Sequence, residues 1–287
     1  MDKRRILIQL DGDAHASVFD RVVAIDAGAD EVFSYANVKP QDVQALVHGV
    51  IFTRGPKDLK STAIFVGGSD VGAGEKLMAE AIKHMIPKFG LRVSIMLDAN
   101  GANTTAAAAV RAAGRHIELK SAKALVLGGT GPVGQRVARL LAREGADVRV
   151  GSRQQAKAAI VCQDIAGRVP NAMLHPVGTS SNDELAAALE GRTLVIAAGA
   201  AGIVLLPKAA RPASLKVAID LNAVPPLGIE GIGVTDKGVD QAGVIGYGAI
   251  GVGDTKMKVH KAAIASLFES NDKILDAEET YQLAIGF

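Results

Sequence analysis

The chain has 287 residues, of which 48% are hydrophobic and 22% charged, so a packed core is easily filled and disorder is not expected. Its 32 Lys and Arg residues balance 30 Asp and Glu, which argues against nucleic acid or an anionic membrane as the main partner. One cysteine, Cys162, excludes an internal disulfide. We expect a cytoplasmic protein, because no apolar run reaches membrane-spanning length and a signal-peptide pattern is missing.

Short apolar runs alternate with helix-period segments along the chain. Strands are predicted at Ile6–Leu10, Glu31–Tyr35, Ala63–Val66, Val93–Leu97, Ala124–Leu127, Asp147–Val150, Leu194–Ala197, Val217–Asp220 and Val244–Tyr247. Helices are predicted at Val18–Ala27, Gln41–Val50, Gly74–Met85, Thr104–Ala113, Val133–Glu144, Asp183–Leu189 and Ala262–Phe268. This alternation is typical of an α/β fold with parallel sheets and right-handed crossovers. Residues 1–103 and a carboxyl-terminal helix at about 271–287 are predicted to form one domain, and residues 104–270 a second.

A dinucleotide site is predicted where the strand Ala124–Leu127 meets the following helix. The G-x-G-x-x-G fingerprint is present there in its strand–turn–helix context, which predicts a Rossmann-type domain. We assign Gly129 to the tight turn, Gly131 to the approach of a pyrophosphate and Gly134 to close packing of the helix. The cofactor-binding set at this turn is Gly129, Thr130, Gly131, Pro132, Val133 and Gly134. The alternative is an ordinary glycine-rich turn.

The end of the next strand bears on which dinucleotide binds. An NAD site usually has an acidic residue there for the ribose 2′-hydroxyl. This chain has Ser152 and Arg153, whose hydroxyl and guanidinium would attract a 2′-phosphate. NADP is therefore the predicted cofactor, with NAD as a second choice. The alternative for Arg153 is a solvated surface residue.

Ligands of open α/β sheets bind at the carboxyl ends of the strands, and several polar residues follow predicted strands. Capping and turn chemistry is the alternative for each of them. The substrate-binding candidates are Asp98, Asn100, Asn103 and Asp220, and further cofactor candidates are Ala198 and Asn222.

The segment that begins at Gly251 is predicted to approach the nicotinamide end of the site through Gly251 and Gly253. A helix is expected to start at Asp254 or Thr255, which places Lys256 in its first turn, where a cation opposes the helix dipole. Broken local rules often indicate function, so Lys256 is the catalytic candidate. His260 lies four residues further on the same face and is a substrate-binding candidate, with a buried helix histidine as the alternative.

Six segments make this chain resemble the NADP-dependent methylene-tetrahydromethanopterin dehydrogenases of methylotrophic bacteria. They are SVFDRVVAIDAGAD, FTRGPKDLKSTAIFVGGSD, MLDANGANTTAAA, GGTGPVGQRVARLLA, DLNAVPPLGIEGI and GVGDTKMKVHKAAIASLFES. The resemblance implies two α/β domains with the active site in the cleft between them, a pterin-binding first domain and a homo-oligomer, trimer or hexamer. It also implies hydride transfer from methylene-tetrahydromethanopterin to NADP⁺ in the oxidation of formaldehyde, with Lys256 at the active site.

The implied chemistry suggests further residues. Hydride loss leaves a delocalised cation, which carboxylates near the substrate would stabilise, and Asp98, Asp220 and Asp20 are the candidates. No metal is required for that step. The acidic tail of the methanopterin would meet the basic loop that carries Arg54 and Lys60, unless that loop is only solvated.

Three alternatives remain. A methylene-tetrahydrofolate dehydrogenase has a similar layout and carries a Tyr-x-x-x-Lys pair in its first domain. Our interpretation is that no such spacing follows Tyr35. A shikimate-type NADP dehydrogenase would need a Lys–Asp pair in the first domain, which Lys57 or Lys60 with Asp98 would have to supply. An NADP-sensing binding protein would keep the glycine turn without catalysis.

Overall fold

The computed structural model describes residues 3–287, which divide into two compact units, 3–104 with 257–287 and 105–256. Residues 1 and 2 of the predicted first domain lie outside the described range. The division differs from the sequence-based one at 257–270, which belongs to the first unit. The reason is apolar packing, since Ala263, Ile264 and Leu267 are buried in one core with Phe65.

The first unit contains a five-stranded, wholly parallel sheet in the order β2-β1-β3-β4-β12. Its elements are β1 (Ile6–Asp11), α1 (Val18–Asp26), β2 (Glu31–Tyr35), α2 (Val43–Ile51), β3 (Thr62–Gly67), α3 (Val71–Lys83), β4 (Ser94–Leu97), β12 (Ile274–Leu275) and α9 (Ala277–Ala284). The direction of strand addition reverses between β1 and β3. Ligands of doubly wound sheets bind at the carboxyl ends of the strands where this reversal occurs.

The second unit contains a seven-stranded sheet in the order β7-β6-β5-β8-β9-β11-β10. Its elements are β5 (Lys123–Leu127), α5 (Pro132–Arg143), β6 (Asp147–Ser152), α6 (Gln155–Arg168), β7 (Met173–Gly178), α7 (Asn182–Leu189), β8 (Leu194–Ala197), β9 (Val217–Asp220), β10 (Lys237–Gln241) and β11 (Val244–Tyr247). Only β10 is antiparallel to its neighbour. The six parallel strands have the Rossmann order, with the reversal between β5 and β8.

Two helices carry the chain from one unit to the next, α4 (Ala102–Gly114) and α8 (Ala249–Ser266). The predicted start of α8 at Asp254 or Thr255 is wrong. Backbone hydrogen bonds from Gly248 to Asp236 and from Ile250 to Val234 anchor an earlier start. Lys256 is consequently about two turns inside the helix, so the argument from a cation in the first turn does not hold.

Each unit has its own apolar core. In the first unit, Leu7, Phe65 and Met96 of the sheet pack with Val23 of α1 and Leu267 beyond α8. In the second, the sheet packs with α7, and the buried set includes Leu125, Val195, Ala218, Leu185 and Leu189. Within residues 3–287, no helix combines the length and apolar composition needed to cross a membrane.

Candidate functional site

The loop between β5 and α5 contains several glycines, and the structural reason for a glycine differs from one position to the next. A Cβ on Gly129 would lie 2.7 Å from Cγ1 of Val150, and one on Gly134 would lie 2.8 Å from Cα of Gly129. Both glycines therefore let the turn, β6 and α5 pack closely, as expected for Gly134. At Gly131 the nearest atom to a Cβ would be 3.4 Å away, which is ordinary contact distance. Packing alone does not require glycine at Gly131, and the bare backbone there fits the approach of a pyrophosphate.

The tight turn itself depends on Gly128, which the sequence analysis missed. Its φ of 70° lies in the left-handed region, which favours glycine. A Cβ there would also lie 2.5 Å from Cα of Gly199, in the loop that follows β8. The role assigned to Gly129 in the turn thus belongs to Gly128. The doubled glycine directly after the strand was the signal that could have shown it.

The amino-terminal end of α5 leaves backbone donors for an anion. Pro132 occupies the first helical position, where its missing N–H has no helical partner to lose. The N–H groups of Val133 and Gly134 have no carbonyl four residues earlier within the helix. The loop before them is fixed, because Nε2 of Gln135 donates to the carbonyl of Thr130 at 2.7 Å. This end of the helix therefore suits a phosphate.

The end of β6 places Ser152 and Arg153 beside each other. Ser152 is buried, and its Oγ accepts a hydrogen bond from the N–H of Gln154 at 3.2 Å. The side chain of Arg153 is exposed. Ala198 follows β8 next to the glycine turn, and its N–H donates to the carbonyl of Leu127 at 2.8 Å. A hydroxyl and a guanidinium thus stand where an NAD site usually has a carboxylate.

Asp220 and Asn222 hold their own loop together. Asp220 is fully buried, and its carboxylate accepts hydrogen bonds from the N–H of Asn222 at 3.0 Å and of Ile229 at 2.8 Å. Burial raises the pKa of Asp220, and the backbone donors oppose that rise. Asn222 accepts from Val224 and donates to the carbonyl of Pro226. These polar groups are bonded within the loop, which fits the alternative of turn chemistry, and their substrate and cofactor contacts stay predictions.

Of the two glycines near the start of α8, packing requires one and does not require the other. A Cβ on Gly251 would collide with the backbone carbonyl of Asp236, so packing explains this glycine without a nicotinamide ring. A Cβ on Gly253 would meet no atom within 4 Å. The side chain of Lys256 is partly buried further along the helix.

In the first unit, two aspartates lie at the reversal between β1 and β3. Oδ2 of Asp20, in the first turn of α1, would be 3.3 Å from a Cβ on Gly67, and Oδ2 of Asp11 3.5 Å from it. Asp11 is buried and accepts hydrogen bonds from the N–H groups of Asp13 and Ser17. The Asp11 carboxylate shapes the loop after β1, whereas Asp20 lies over the bare backbone at the end of β3.

Asp98 and His260 complete this cluster of acidic and imidazole side chains. Oδ2 of Asp98 lies 4.0 Å from Nδ1 of His260, and both side chains are buried. Thr104 donates to the Asp98 carboxylate from its N–H and its hydroxyl. Burial raises the pKa of Asp20, and His260 opposes that rise while Asp98 adds to it. The cluster therefore couples the charge of Asp20 to its neighbours.

His260 is only 1% exposed, and it lies between two phenylalanine rings. The ring of Phe65 stacks on it at 5.7 Å between centroids with an interplanar angle of 18°. The ring of Phe19 lies 6.2 Å away at 40°. This burial fits the alternative of a buried helix histidine, and direct substrate contact by His260 stays a prediction.

The two asparagines after β4 differ in burial and in their hydrogen bonds. Nδ2 of Asn103 donates to the carbonyl of Leu97 at 2.6 Å and to Oδ1 of Asp276 at 3.0 Å, and the residue is buried. Asn103 therefore has a structural role, and its substrate contact stays a prediction. Asn100 is exposed, has a φ of 53°, and donates its N–H to the carbonyl of Gly68 at 2.6 Å.

The basic loop lies at the other edge of the first sheet. Arg54 donates to the carbonyls of Arg4 and Ser61, which precede β1 and β3. Lys60 also precedes β3, whereas Asp98 follows β4. Because these strands are parallel and a six-residue strand spans about 20 Å, Arg54 and Lys60 are far from the acidic cluster. Contact of Arg54 and Lys60 with the acidic tail of the methanopterin stays a prediction.

The sequence is similar to known proteins over almost its whole length. The family model "Methylene-tetrahydromethanopterin dehydrogenase, N-terminal" matches residues 18–100, which include Asp20, Gly67 and Asp98. Two proteins of Methylorubrum extorquens strain AM1 match 98% of the chain over 98% of their own length. One is bifunctional protein MdtA, at 47% identity. The other is an NAD(P)-dependent methylenetetrahydromethanopterin dehydrogenase, at 31% identity.

The chain belongs to the methylene-tetrahydromethanopterin dehydrogenase family. Among solved structures it resembles shikimate 5-dehydrogenase from Listeria monocytogenes, with a TM-score of 0.58 and 12% identity over 98% of this chain and 96% of that one. This likeness concerns the fold alone. It confirms the predicted α/β class with a Rossmann-type sheet.

The structure of this member of the methylene-tetrahydromethanopterin dehydrogenase family can be searched for the residue pairs of two alternative families. These are the Lys–Asp pair of shikimate-type enzymes and the Tyr-x-x-x-Lys pair of the folate enzymes. A Lys–Asp pair of the shikimate kind is not formed by Lys60 and Asp98, since they lie at opposite sheet edges. Our reading that no Tyr-x-x-x-Lys pair is present is wrong, because Tyr35 and Lys39 have that spacing. Tyr35 is the last residue of β2, and both side chains are exposed. The activity assay therefore has to include the folate substrate.

Proposed function

We propose that the chain is an NADP-dependent oxidoreductase that takes a hydride from methylene-tetrahydromethanopterin and leaves the methenyl cation. The observation that carries the proposal is the full-length likeness to a relative named for this activity. Two features of the chain support it: a glycine turn suited to a dinucleotide in the second unit, and a carboxylate–imidazole cluster at the reversal of the first sheet.

The second unit is proposed to hold NADP. When bound, the nicotinamide of NADP⁺ supplies the hydride acceptor. Gly131 leaves room for the pyrophosphate, and the N–H groups of Val133 and Gly134 face its charge. Ser152 and Arg153 are proposed to bind the 2′-phosphate through charge-assisted hydrogen bonds, and their lack of a carboxylate also leaves NAD as a weaker alternative.

The first unit is proposed to hold the pterin at the carboxyl ends of β1, β3 and β4. The methylene carbon lies between two nitrogens, and their lone pairs expel the hydride, so the step itself requires no proton transfer. Positive charge develops on the substrate, and a nearby carboxylate stabilises it. Asp20 is the proposed carboxylate, because Asp220 is used within its loop and Asp98 is held by Thr104.

Lys256 is proposed to orient the pterin ring through a hydrogen bond from its ammonium group. A cation does not stabilise the developing positive charge, so its contribution is to binding geometry. Direct hydride transfer requires the reacting carbon atoms to approach to about 3–3.5 Å, and a misplaced ring loses much of the rate.

The proposed setting is the oxidation of formaldehyde-derived one-carbon units in the cytoplasm. The absence of a membrane-spanning helix among residues 3–287 is compatible with that setting. A homo-oligomer, trimer or hexamer, is proposed from the resemblance of the sequence to its family.

The test is a steady-state assay that crosses methylene-tetrahydromethanopterin and methylene-tetrahydrofolate with NADP⁺ and NAD⁺. Reduced nicotinamide is followed by its absorbance. We expect the methanopterin with NADP⁺ to give the highest kcat/KM. A higher value with the folate would favour the alternative, and shikimate serves as a control substrate. Binding of NADP without turnover of any substrate would identify a sensing protein.

A further inference from the structure

Phe19 is an aromatic side chain that the apolar core does not use. Only 3% of the sequence is aromatic, yet residue Phe19 is 51% exposed. It stands directly before Asp20 in the first turn of α1, at the carboxyl edge of the first sheet. An exposed ring beside a carboxylate offers an apolar face and a hydrogen-bond acceptor to one ligand.

The ring of Phe19 packs against buried rings on its inner side. Phe65 is buried in the core, His260 stacks on it at 5.7 Å, and Phe19 follows at 6.2 Å from His260. These three rings form a column that runs from the core to the surface of α1. A ring held by such a column loses little conformational entropy when a second flat ring packs on it.

Other exposed phenylalanines lack this setting. Phe52 and Phe89 are more exposed than Phe19, at 60% and 65%. Phe52 follows α2, on the way to β3, and Phe89 precedes β4, so both lie toward the amino edge of the sheet. The acidic cluster is at the carboxyl edge, where Asp20 follows Phe19 in sequence.

We propose that Phe19 is a substrate-binding residue whose ring packs against the face of the flat pterin ring. The carboxylate of Asp20 lies beside it, near the bare backbone of Gly67, where it meets the substrate at its edge. A pterin matches both side chains. Its planar face packs on the ring of Phe19, and its nitrogen-rich edge, which becomes cationic in the reaction, meets the carboxylate of Asp20. This inference rests on the proposed function of the first unit.

The test measures pterin and nucleotide affinity separately. Methenyl-tetrahydromethanopterin is titrated into the native protein and into the variants Phe19→Leu, Phe19→Tyr and Phe52→Leu by calorimetry, without nucleotide. NADP is titrated into the same four proteins. We expect Phe19→Leu to raise the Kd for the pterin about tenfold, because it keeps an apolar side chain but loses the ring. Phe19→Tyr keeps the ring and Phe52→Leu lies elsewhere, so both should bind as the native protein does.

The outcomes separate this inference from the proposed function. If the native protein neither binds the pterin nor oxidises its methylene form, the proposed function fails and the role of Phe19 fails with it. If the native protein binds and Phe19→Leu binds equally well, only the role of Phe19 is overturned. An equal loss of NADP affinity in Phe19→Leu would indicate a general structural defect and would also overturn it.

The exposed residues Val18, Val22 and Ile25 lie on the same helix, so a second copy of the chain is the competing occupant of this face. Sedimentation of the native protein and Phe19→Leu distinguishes the two. We expect the same mass for both proteins. A lower mass for Phe19→Leu with unchanged pterin affinity would assign the face to self-association and overturn the proposal.

Discussion

Thr104 donates its N–H and its hydroxyl to the two oxygens of the Asp98 carboxylate, at 3.0 and 2.7 Å. Both residues are buried, and the same carboxylate lies 4.0 Å from the imidazole of His260. The hydrogen bonds from Thr104 therefore hold the Asp98 carboxyl group in place beside the aromatic column of Phe65, His260 and Phe19. A threonine in the first turns of α4 thus positions the cluster at the end of β4.

Replacement of Thr104 by Val removes the hydroxyl and keeps the shape. We expect the free energy of unfolding to fall by about 1–3 kcal/mol, since a buried carboxylate loses one of its hydrogen-bond donors. Urea unfolding measures this change, with Thr104→Ser as the control that keeps the hydroxyl. Equal losses in both variants would show that the bond to the hydroxyl is not what stabilises the pair.

The stability of the first unit should depend on the ionisation of Asp20. Burial raises its pKa above the ordinary 3.8, so its protonated form favours folding. Its contribution is complete below the unfolded pKa and is lost as the pH rises through the folded pKa. In Asp20→Asn this loss is absent, so the variant should gain stability relative to the native protein from pH 4 upward. Urea unfolding across this range checks it, and parallel curves for the two proteins would contradict it.

Gly134 is expected to be intolerant of a side chain. In Gly134→Ala the new Cβ collides with the backbone of Gly128 and Gly129, which displaces the turn that is proposed to bind the pyrophosphate. We expect the Kd for NADP to rise at least about tenfold and stability to fall by about 1–3 kcal/mol. Gly167→Ala in α6 is the matched control, because its Cβ meets nothing within 4 Å and alanine favours helix. That control should be stabilised by about 0.5–1 kcal/mol.

Arg153 is expected to select NADP. Loss of a charge-assisted hydrogen bond in Arg153→Ala should lower kcat/KM with NADP⁺ about 10- to 100-fold and leave the value with NAD⁺ nearly unchanged. Arg168→Ala is the control, because this exposed arginine of the same unit pairs with Asp164. An unchanged ratio of the two kcat/KM values in Arg153→Ala would remove the argument from the end of β6.

Lys256 is expected to affect catalysis without affecting the nucleotide. Lys256→Met keeps the length of the side chain and loses its donor, so kcat with methylene-tetrahydromethanopterin should fall about 10- to 100-fold. The Kd for NADP should stay constant. Lys258→Met, an exposed position on the same helix, is the matched control. A native rate in Lys256→Met would show that this lysine does not act in the reaction.

Local patterns in the sequence were sufficient for much of the fold and for the nucleotide turn. The predicted strands are all present, with ends that shift by at most two residues, because buried parallel strands are continuous apolar runs. The unpredicted strands β7, β10 and β12 are edge strands. The first two have partly exposed residues that form no such run, and β12 has only two residues. The glycine turn was recognisable because its function depends on backbone shape over a few consecutive residues.

The polar residues of the site could not be sorted in the same way. Asp20, Asp98 and Asp220 are the same side chain near strand ends, yet Asp220 closes a loop, Asp98 is held by Thr104, and Asp20 lies near Gly67. Arg54 is also a polar residue near strand ends. It lies at the amino ends of β1 and β3, whereas Asp98 follows the carboxyl end of β4. The sequence by itself determined the α/β class and the glycine turn, since both arise from short-range periodicity and backbone conformation. The donors that each carboxylate meets depend on the tertiary structure, because they belong to residues that the fold brings to it.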